Sequence, residues 1–187
     1  MRLFFDTEFT GLRKNTTLIS IGIVAEDGRQ FYAELTDYNL DQCDDWIRKN
    51  VLRNLYNREP LEDQPYIENF HIGDKKAVGW ALRNWLKQFD YVQFVSDVCH
   101  YDFVLLIDLF GEAFTLPNNV NPACHDINQD IARYLGISEV EAFNFSREEL
   151  VMIEFGEELP ETINKHNALY GAKVIRAISM KLDKFFN

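Results

Sequence analysis

Residues 4–12 read FFDTEFTGL, and they close an apolar, extended segment that begins at Arg2. Side chains alternate between the two faces of a strand, so Asp6 and Glu8 are expected on the same face. Two adjacent carboxylates repel each other in apolar surroundings, and a bound cation removes that repulsion. An Asp-x-Glu pattern also arises by chance in most chains of this length, so the pattern alone does not define a site. Its place at the end of a strand favours one, because sites in α/β sheets assemble at strand ends.

The flanking sequence predicts a mixed β-sheet with helices on its faces. Residues 17–25, TLISIGIVA, are β-branched and almost continuously apolar, as expected of a central strand. Asp27-Gly28 predicts a hairpin turn before a third strand at 29–35, and a fourth strand is predicted at 91–96. The remaining pattern predicts a loop at 60–74 and helices near 40–55, 75–89, 101–110, 126–135, 147–155 and 168–186. This order of elements indicates a single α/β domain over residues 1–187.

The composition limits the kinds of partner. The 187 residues carry a net charge of −11 and are 47% hydrophobic, which suits one compact domain with a core. No apolar run is long enough for a membrane span or a signal peptide, so we expect no membrane partner and a cytoplasmic location. A charge of this sign does not suit a protein that coats a nucleic-acid backbone. Nucleic acid is therefore either not the partner or is contacted only at a chain end, where bound cations reverse the local field.

Three cysteines are present, Cys43, Cys99 and Cys124. Their odd number and the absence of a CxxC spacing do not favour a disulfide framework. Two of them precede histidines, in Cys99-His100 and Cys124-His125, so a zinc site with two Cys and two His ligands is conceivable. Structural zinc sites usually begin with closely spaced ligand pairs, and ordinary buried thiols are therefore the preferred interpretation.

Three further residues carry side chains suited to catalysis. Asp102 follows the fourth predicted strand at the start of a helix, where an acidic residue also simply favours the helix dipole. Asp97, at the end of that strand, is either a hydrogen-bonding partner of a ligand or a helix cap. His166 precedes the last helix, where a histidine is often just exposed, but beside a metal-bound water its unperturbed pKa suits a general base.

Together these residues resemble the DEDD exonuclease superfamily in its histidine-bearing DEDDh branch, which has an RNase H-like fold. That branch carries Asp-x-Glu, then an Asp at a helix entry, then His-x-Ala-x-x-Asp. The matches here are Asp6 and Glu8, Asp102, and His166 with Ala168. The opening MRLFFDTEF, the segment TLISIGIVAEDGRQFYAEL, the YDF of the second motif and the HNAL of the third are similar to the mycobacterial-type stand-alone 3′-5′ exoribonucleases. The likeness spans nearly the whole chain.

The third motif departs from this pattern at its last position, where Gly171 replaces the expected Asp. No acidic residue follows closely, since the next three positions are Ala172, Lys173 and Val174. Glycine inside a helix costs about 0.5–1 kcal/mol relative to alanine, so helix stability does not explain its presence. We expect Gly171 to weaken the binding of one metal ion and to impair turnover, while the fold and the binding of one ion survive.

The resemblance implies a metal-dependent 3′-5′ exonuclease that hydrolyses phosphodiesters at the 3′ end of single-stranded RNA or DNA, with RNA favoured. It implies two divalent cations, Mg²⁺ or Mn²⁺, in a two-metal mechanism. Asp6 is implied to bridge both ions, Glu8 to hold the ion with the attacking water, and Asp102 to hold the leaving-group side. His166 is implied as the general base that takes the proton of the water.

The resemblance also implies that residues after the first motif grip the terminal nucleotide. They would do so through stacking on a base, backbone N–H groups and a phosphate contact, supplied by Phe9, Thr10, Gly11, Leu12 and Arg13. A homodimer is possible. Two alternatives stay open: a catalytically inactive nucleic-acid- or protein-binding module on the same fold, and an unrelated small α/β domain whose acidic residues occur by chance. Convergence of the acidic side chains in space distinguishes the last of these from the others.

Overall fold

The computed structural model describes residues 1–57, 67–154 and 165–186, with the backbone alone at residues 153 and 154. Within them, one six-stranded sheet has the strand order β4-β3-β2-β1-β5-β6. The strands are β1 (Arg2–Phe9), β2 (Leu18–Ala25), β3 (Gln30–Leu35), β4 (Phe70–Gly73), β5 (Gln93–Ser96) and β6 (His125–Asp126). The first three form an antiparallel meander, while β4 pairs parallel with β3, β5 with β1, and β6 with β5. The predicted α/β class with a mixed sheet is confirmed.

Seven α-helices occur in the part of the chain that the structure describes. They are α1 (Asp45–Asn50), α2 (Lys75–Leu86), α3 (Cys99–Leu109), α4 (Ile127–Leu135), α5 (Glu139–Asn144), α6 (Arg147–Glu149) and α7 (Ala168–Phe186). Short 3₁₀ turns lie at Leu40–Gln42, Leu52–Asn54 and Ala113–Thr115, and a π-helical turn lies at Leu150–Glu154. None of the helices in these described segments has the length and apolar character that crossing a bilayer requires.

Helices cover both faces of the sheet. On one face, α2 and α3 pack through a cluster of buried apolar side chains that includes Phe5, Leu82 and Leu106. On the opposite face, α4 and α7 pack through a second cluster that includes Phe4 and Ile175. Every residue of β2 is buried, as its continuous apolar sequence predicts for a strand that is covered on both sides.

The first turn of α7 lies directly on the sheet because residue 22 is glycine. Gly22 pairs with Asp6 across the β1–β2 ladder. A β-carbon added to Gly22 would lie 2.3 Å from the backbone nitrogen of Leu169 and 2.4 Å from the carbonyl oxygen of Ala168. Backbone atoms in a packed helix cannot rotate away from such a contact. The close approach therefore places the start of α7 beside the strand that carries Asp6.

Two predictions about individual elements are wrong. The helix expected near 40–55 is interrupted, because Asp44 has an extended backbone and starts a new helix by accepting a hydrogen bond from the backbone N–H of Ile47. The loop expected at 60–74 contains β4, a partly exposed strand of four residues that is too short to show a clear alternation. Residues 58–66 of that predicted loop, and residue 155 of the helix predicted at 147–155, lie outside the described residues.

Candidate active site

Alternation along β1 places Asp6 and Glu8 on the face of the sheet that α7 covers. Both carboxylates line a cavity that is also lined by Val174 and Ile175 of α7. Phe4, two residues before Asp6, packs in the apolar cluster on the same face. The alternation predicted from the sequence is therefore the reason that both acidic side chains reach one cavity.

Asp102 approaches the same carboxylates from α3. Only 1% of this residue is exposed, and it lies in the first turn of the helix, as the sequence predicted. The hydroxyl of Thr7 donates to Oδ1 of Asp102 at 2.5 Å, and the hydroxyl of Ser96 donates to Oδ2. These two donors come from β1 and β5, so the sheet itself orients the Asp102 carboxylate.

Asp97 completes an acidic cluster at this end of the sheet. At least one carboxylate oxygen from each of Asp6, Asp97 and Asp102 lies within 4.8 Å of the others. Asp97 lies directly after β5 and lines the cavity together with Asp6 and Glu8. The structure thus brings together acidic side chains from segments that are far apart in the sequence.

Burial and mutual repulsion raise the pKa of the three predicted metal-ligating carboxyl groups. Burial, and then the negative charge of Asp102, hold the pKa of Asp6 well above its ordinary value. The same two causes raise the pKa of Glu8 to about 8. Burial raises the pKa of Asp102 to about 7 even though the hydrogen bonds from Ser96 and Thr7 lower it. A divalent cation would favour the ionised form of each group and would release these protons.

The chemistry of this donor set fits a hard divalent cation such as Mg²⁺ or Mn²⁺, which binds carboxylate oxygen. Among the residues that the structure describes, one group of Asp, Glu, His or Cys side chains is spaced so that three of them could bind the same metal ion. Its members are Asp6, Asp97 and Asp102. The sulfur atoms of Cys99 and Cys124 lie 2.9 Å apart. The described residues contain no group of ligand spacing that joins these thiols to histidines, so the zinc alternative has no support in the fold.

His166 lies at the entry to α7 and lines the same cavity. Its φ of +67° is in the left-handed region, which residues other than glycine rarely adopt. Burial, and then the positive charge of Lys165, lower the pKa of His166. The imidazole is therefore neutral at neutral pH and able to accept a proton.

The turn that carries His166 is held by Asn167. Its side-chain oxygen accepts a hydrogen bond from the backbone N–H of Leu169 at 3.0 Å, and its side-chain nitrogen donates to the carbonyl oxygen of Asn54 at 3.0 Å. The ring of Trp46 lies edge-on to the His166 ring, with 4.9 Å between the ring centroids. The backbone conformation of His166 is thus fixed by tertiary contacts from the segment around α1.

Gly171 faces the acidic cluster. A β-carbon built on Gly171 would lie 2.0 Å from Oδ2, 2.7 Å from Cγ and 3.0 Å from Cβ of Asp6. Gly171 also lines the cavity with Asp97 and His166. A side chain at position 171 would therefore point at the carboxylate of Asp6, where the DEDDh pattern has its fourth acidic residue.

The residues expected to hold the terminal nucleotide differ in their surroundings. Phe9 stacks on Tyr101 with a centroid distance of 5.4 Å and an interplanar angle of 14°. Gly11 has a φ of +133°, Leu12 is 74% exposed, and Arg13 is exposed. Their roles in binding stay predictions.

Thr10 does not match the expectation of a free backbone donor. Its backbone N–H donates to the carbonyl oxygen of Thr17 at 3.0 Å. Its hydroxyl is buried and donates to the side-chain oxygen of Gln42 at 2.6 Å. The backbone N–H of Thr10 therefore stabilises the loop after β1 and is already paired, while the predicted role of Thr10 in substrate binding stays a prediction.

Sequence reasoning gave no role to Arg147 or Trp46, both of which lie at the site. The guanidinium of Arg147 lines the cavity and pairs with Asp97, with 2.9 Å between Nε and Oδ2. No local pattern marks this pair, because its partners are far apart in the sequence. For Asp97 a signal exists: Val95 and Asp97 repeat the apolar-then-acidic alternation of Phe4 and Asp6 on the neighbouring strand.

The chain is similar to known 3′-5′ exoribonucleases in sequence. The model of the 3′-5′ exoribonuclease Rv2179c-like domain matches residues 1–180. The 3′-5′ exoribonuclease Rv2179c of Mycobacterium tuberculosis (strain ATCC 25618 / H37Rv) is 32% identical over 131 residues, which make up 69% of this chain and 73% of that protein.

Two solved structures share the fold at low identity. The nuclease domain of 3′hExo, a DEDDh family member bound to rAMP, has a TM-score of 0.65 at 10% identity over 98% of this chain and 92% of that chain. A 3′-exonuclease in 3′-end specific recognition of histone mRNA stem-loop has a TM-score of 0.67 at 11% identity over 98% of this chain and 63% of that chain. The expected RNase H-like fold is confirmed by these neighbours. The chain belongs to the Rv2179c-like family of 3′-5′ exoribonuclease domains, which are hydrolytic nucleases.

Proposed function

We propose that this protein removes nucleotides from the 3′ end of single-stranded RNA by metal-dependent hydrolysis of phosphodiester bonds. The observation that carries the proposal is the convergence of Asp6, Glu8 and Asp102 beside a cavity that also contains His166. These side chains come from β1, α3 and the entry to α7. Chance does not readily explain why these side chains converge in a member of an exoribonuclease family.

Asp6, Glu8 and Asp102 would hold two divalent cations, Mg²⁺ or Mn²⁺. When bound, such cations stabilise the charge on the attacking and leaving oxygens of a phosphodiester. Thr7 and Ser96 orient the Asp102 carboxylate through their hydroxyl groups. The protein therefore supplies hard oxygen ligands in a fixed arrangement, as cation binding to a rigid site requires.

His166 would accept the proton of the attacking water. Its lowered pKa keeps the imidazole neutral, and the Asn167 side chain and the Trp46 ring hold the turn that presents it. A correctly placed general base contributes about 10²–10⁴-fold to a rate. The distorted backbone of His166 is consistent with this role, since strained conformations are retained where the surroundings fix them.

RNA is the favoured substrate. The M. tuberculosis relative is an exoribonuclease, and the 3′hExo nuclease domain is bound to rAMP. Phe9 and the exposed Leu12 follow the first motif in the sequence, and Tyr101 stacks on Phe9. These side chains would pack against a terminal base. With a net charge of −11, we expect contact with only a few terminal nucleotides.

The second candidate function is a 3′-end-binding module with little or no turnover. One observation favours it: the Asp6 carboxylate fills the space that a fourth acidic side chain at position 171 would enter. Loss of one ligand would weaken the binding of a divalent cation at the site, so the rate of hydrolysis would fall more than the affinity for RNA.

The test uses a single-stranded RNA labelled at its 5′ end and incubated with Mg²⁺ or Mn²⁺. We expect a ladder of products shortened from the 3′ end, and slower shortening of the matching DNA. Asp6→Asn and His166→Ala should lower the rate by at least about 100-fold. The matched control Asp90→Asn, which changes an exposed acid three residues before β5, should cut like the wild type.

Three outcomes are informative. Shortening that depends on Asp6 and His166 supports the exonuclease. Tight binding of the RNA without shortening supports the binding module. If neither the wild type nor Gly171→Asp shortens or binds the RNA with either cation, both functions are excluded.

A further inference from the structure

We propose that Asp97 is a direct metal ligand and supplies the acidic oxygen that position 171 lacks. The inference rests on the proposed function, because it concerns the same metal centre. Carboxylate oxygens of Asp6, Asp97 and Asp102 lie within 4.8 Å of one another, a spacing at which they could bind one metal ion, and Glu8 is not part of this group. The resemblance to the DEDDh branch assigns no ligand at this position, so the assignment comes from the geometry.

Strand register explains why Asp97 reaches the cluster. Val95 of β5 pairs with Phe4 of β1 in the parallel ladder, and both pack in the apolar cluster beneath α7. Two residues further along each strand, the same face carries Asp6 on β1 and Asp97 just after β5. Neighbouring strands lie about 4.8 Å apart, which is a suitable spacing for two carboxylates to share a cation.

Arg147 orients Asp97 without occupying all of its oxygens. Nε of Arg147 donates to Oδ2 of Asp97 at 2.9 Å, and no described residue donates a hydrogen bond to Oδ1. Nη1 of Arg147 donates to the carbonyl oxygens of Ala142 and Phe145 at 2.9 Å each, while Nη2 donates to the side-chain oxygen of Asn128. The guanidinium is thus anchored by other elements and holds Asp97 at the cavity.

The lost and the gained ligand would serve the same cavity from different sides. Position 171 faces it from α7, and Asp97 faces it from the end of β5. With Asp97 included, the centre has four acidic side chains: Asp6, Glu8 and Asp97, which line the cavity, and Asp102, which lies within ligand spacing of Asp6 and Asp97. Glu148 also lines the cavity, but it is not part of the group with ligand spacing. The centre then keeps the number of carboxylates of the family pattern, but in a different arrangement.

The test measures Mn²⁺ binding to the full chain by titration calorimetry, without substrate. We expect Asp97→Asn to weaken Mn²⁺ binding by at least about 10-fold, the lower end of losses seen when even an outer metal contact is removed. The matched control Asp90→Asn changes an exposed acid three residues before β5, and it should bind Mn²⁺ like the wild type. In the Asp97→Asn background, Gly171→Asp should recover much of the affinity, because it returns a carboxylate to the cavity.

A crystal structure of the wild type with Mn²⁺ gives a second readout that needs no substitution. We expect an Asp97 oxygen within about 2.5 Å of an anomalous manganese peak. Unchanged Mn²⁺ affinity in a folded Asp97→Asn variant, or manganese bound away from Asp97, would overturn the inference while the proposed nuclease stands. A wild type that neither binds Mn²⁺ nor shortens RNA would overturn both.

Discussion

A β-carbon on Gly171 would lie 2.0 Å from Oδ2 of Asp6, so the last position of the third motif faces the first carboxylate of the first motif. The same β-carbon would lie 3.0 Å from Cβ of Asp6, which is closer than two side chains normally approach. An aspartate at this position therefore requires the Asp6 side chain to rotate and α7 to move slightly outward. Glycine at position 171 thus has two effects: it removes the fourth acidic ligand of the family pattern, and it allows α7 to pack closely on β1.

Gly171→Asp should raise the rate of RNA shortening in Mn²⁺ by roughly 10-fold or more, because a further carboxylate strengthens the cation site. In EDTA the same variant should melt at a lower temperature than the wild type, since another negative charge joins a buried acidic cluster. Gly171→Ala is the control, because it adds the β-carbon without the ligand. Equal rates for the Asp and Ala variants would contradict the assignment of position 171 to the metal centre.

Gly22→Ala should destabilise the protein more than Gly171→Ala. A β-carbon at Gly22 meets backbone atoms of α7 at 2.3 Å. The closest contacts of a β-carbon at Gly171 are to the Asp6 carboxylate, which can rotate, and its remaining 3.0 Å contact to Cβ of Asp6 needs only a small shift of α7. Overpacking of this kind typically costs about 1–3 kcal/mol of unfolding free energy, and the rigid contact belongs at the upper end. Urea unfolding in EDTA measures both variants. A smaller loss for Gly22→Ala than for Gly171→Ala would show that the first turn of α7 is not held as described.

The metal-free protein should lose stability as the pH rises from about 4 to 8. Folding raises the pKa of Glu8 from 4.5 to about 8 and that of Asp102 from 3.8 to about 7, mainly through burial. The folded state then binds more protons than the unfolded state over this range, so the unfolding free energy decreases with pH. Thermal melts in EDTA between pH 4 and 8 measure the effect.

Mn²⁺ should reverse this loss, because it binds the ionised carboxylates of the folded state only. The increase in melting temperature on adding Mn²⁺ should therefore be larger at pH 8 than at pH 5. Glu8→Gln is the control: it should flatten the pH dependence in EDTA and reduce the increase with Mn²⁺. A melting temperature that rises with pH in EDTA, in the wild type, would contradict the raised pKa of these groups.

Leu12 and Thr10 should separate substrate binding from loop stability. Leu12 is 74% exposed, so Leu12→Ala should leave the melting temperature nearly unchanged while KM for RNA rises several-fold. Thr10→Val removes a buried hydroxyl that bonds Gln42 and accepts from the backbone N–H of Thr17. It should lower the unfolding free energy by about 1–3 kcal/mol. Kinetics and urea unfolding on both variants check the contrast, and the reverse pattern would refute it.

Mild oxidation should join Cys99 to Cys124. Their sulfur atoms lie 2.9 Å apart, and a small movement brings them to the bond length of about 2.05 Å. Two thiols then lose two hydrogens to the oxidant, for example diamide, and the protein loses about 2 Da by intact mass. Cys43→Ser should still show this loss, and Cys124→Ser should not. An oxidised wild type whose disulfide maps to Cys43 would contradict the prediction.

Local sequence was sufficient for the elements with a clear period. The apolar run at 17–25 predicted β2, and the periodicity at 168–186 gave α7 with the bounds that the structure has. It was insufficient for β4 and for the interruption of the helix near 40–55. The four residues of β4 show too little alternation to identify an edge strand. Near 40–55 the apolar pattern continues across Asp44, so the pattern does not reveal that Asp44 caps a new helix.

The sequence by itself determined which residue types could form a metal-dependent site: Asp6 and Glu8 by strand alternation, and Asp102 and His166 by their places in the family motifs. Only the tertiary structure decided that Asp97 joins them, and that Gly171 touches Asp6. The reason is physical. Alternation and motif spacing describe neighbours along the chain, whereas the ligand spacing of a cation depends on strand register and helix packing, which bring together residues that the chain keeps far apart.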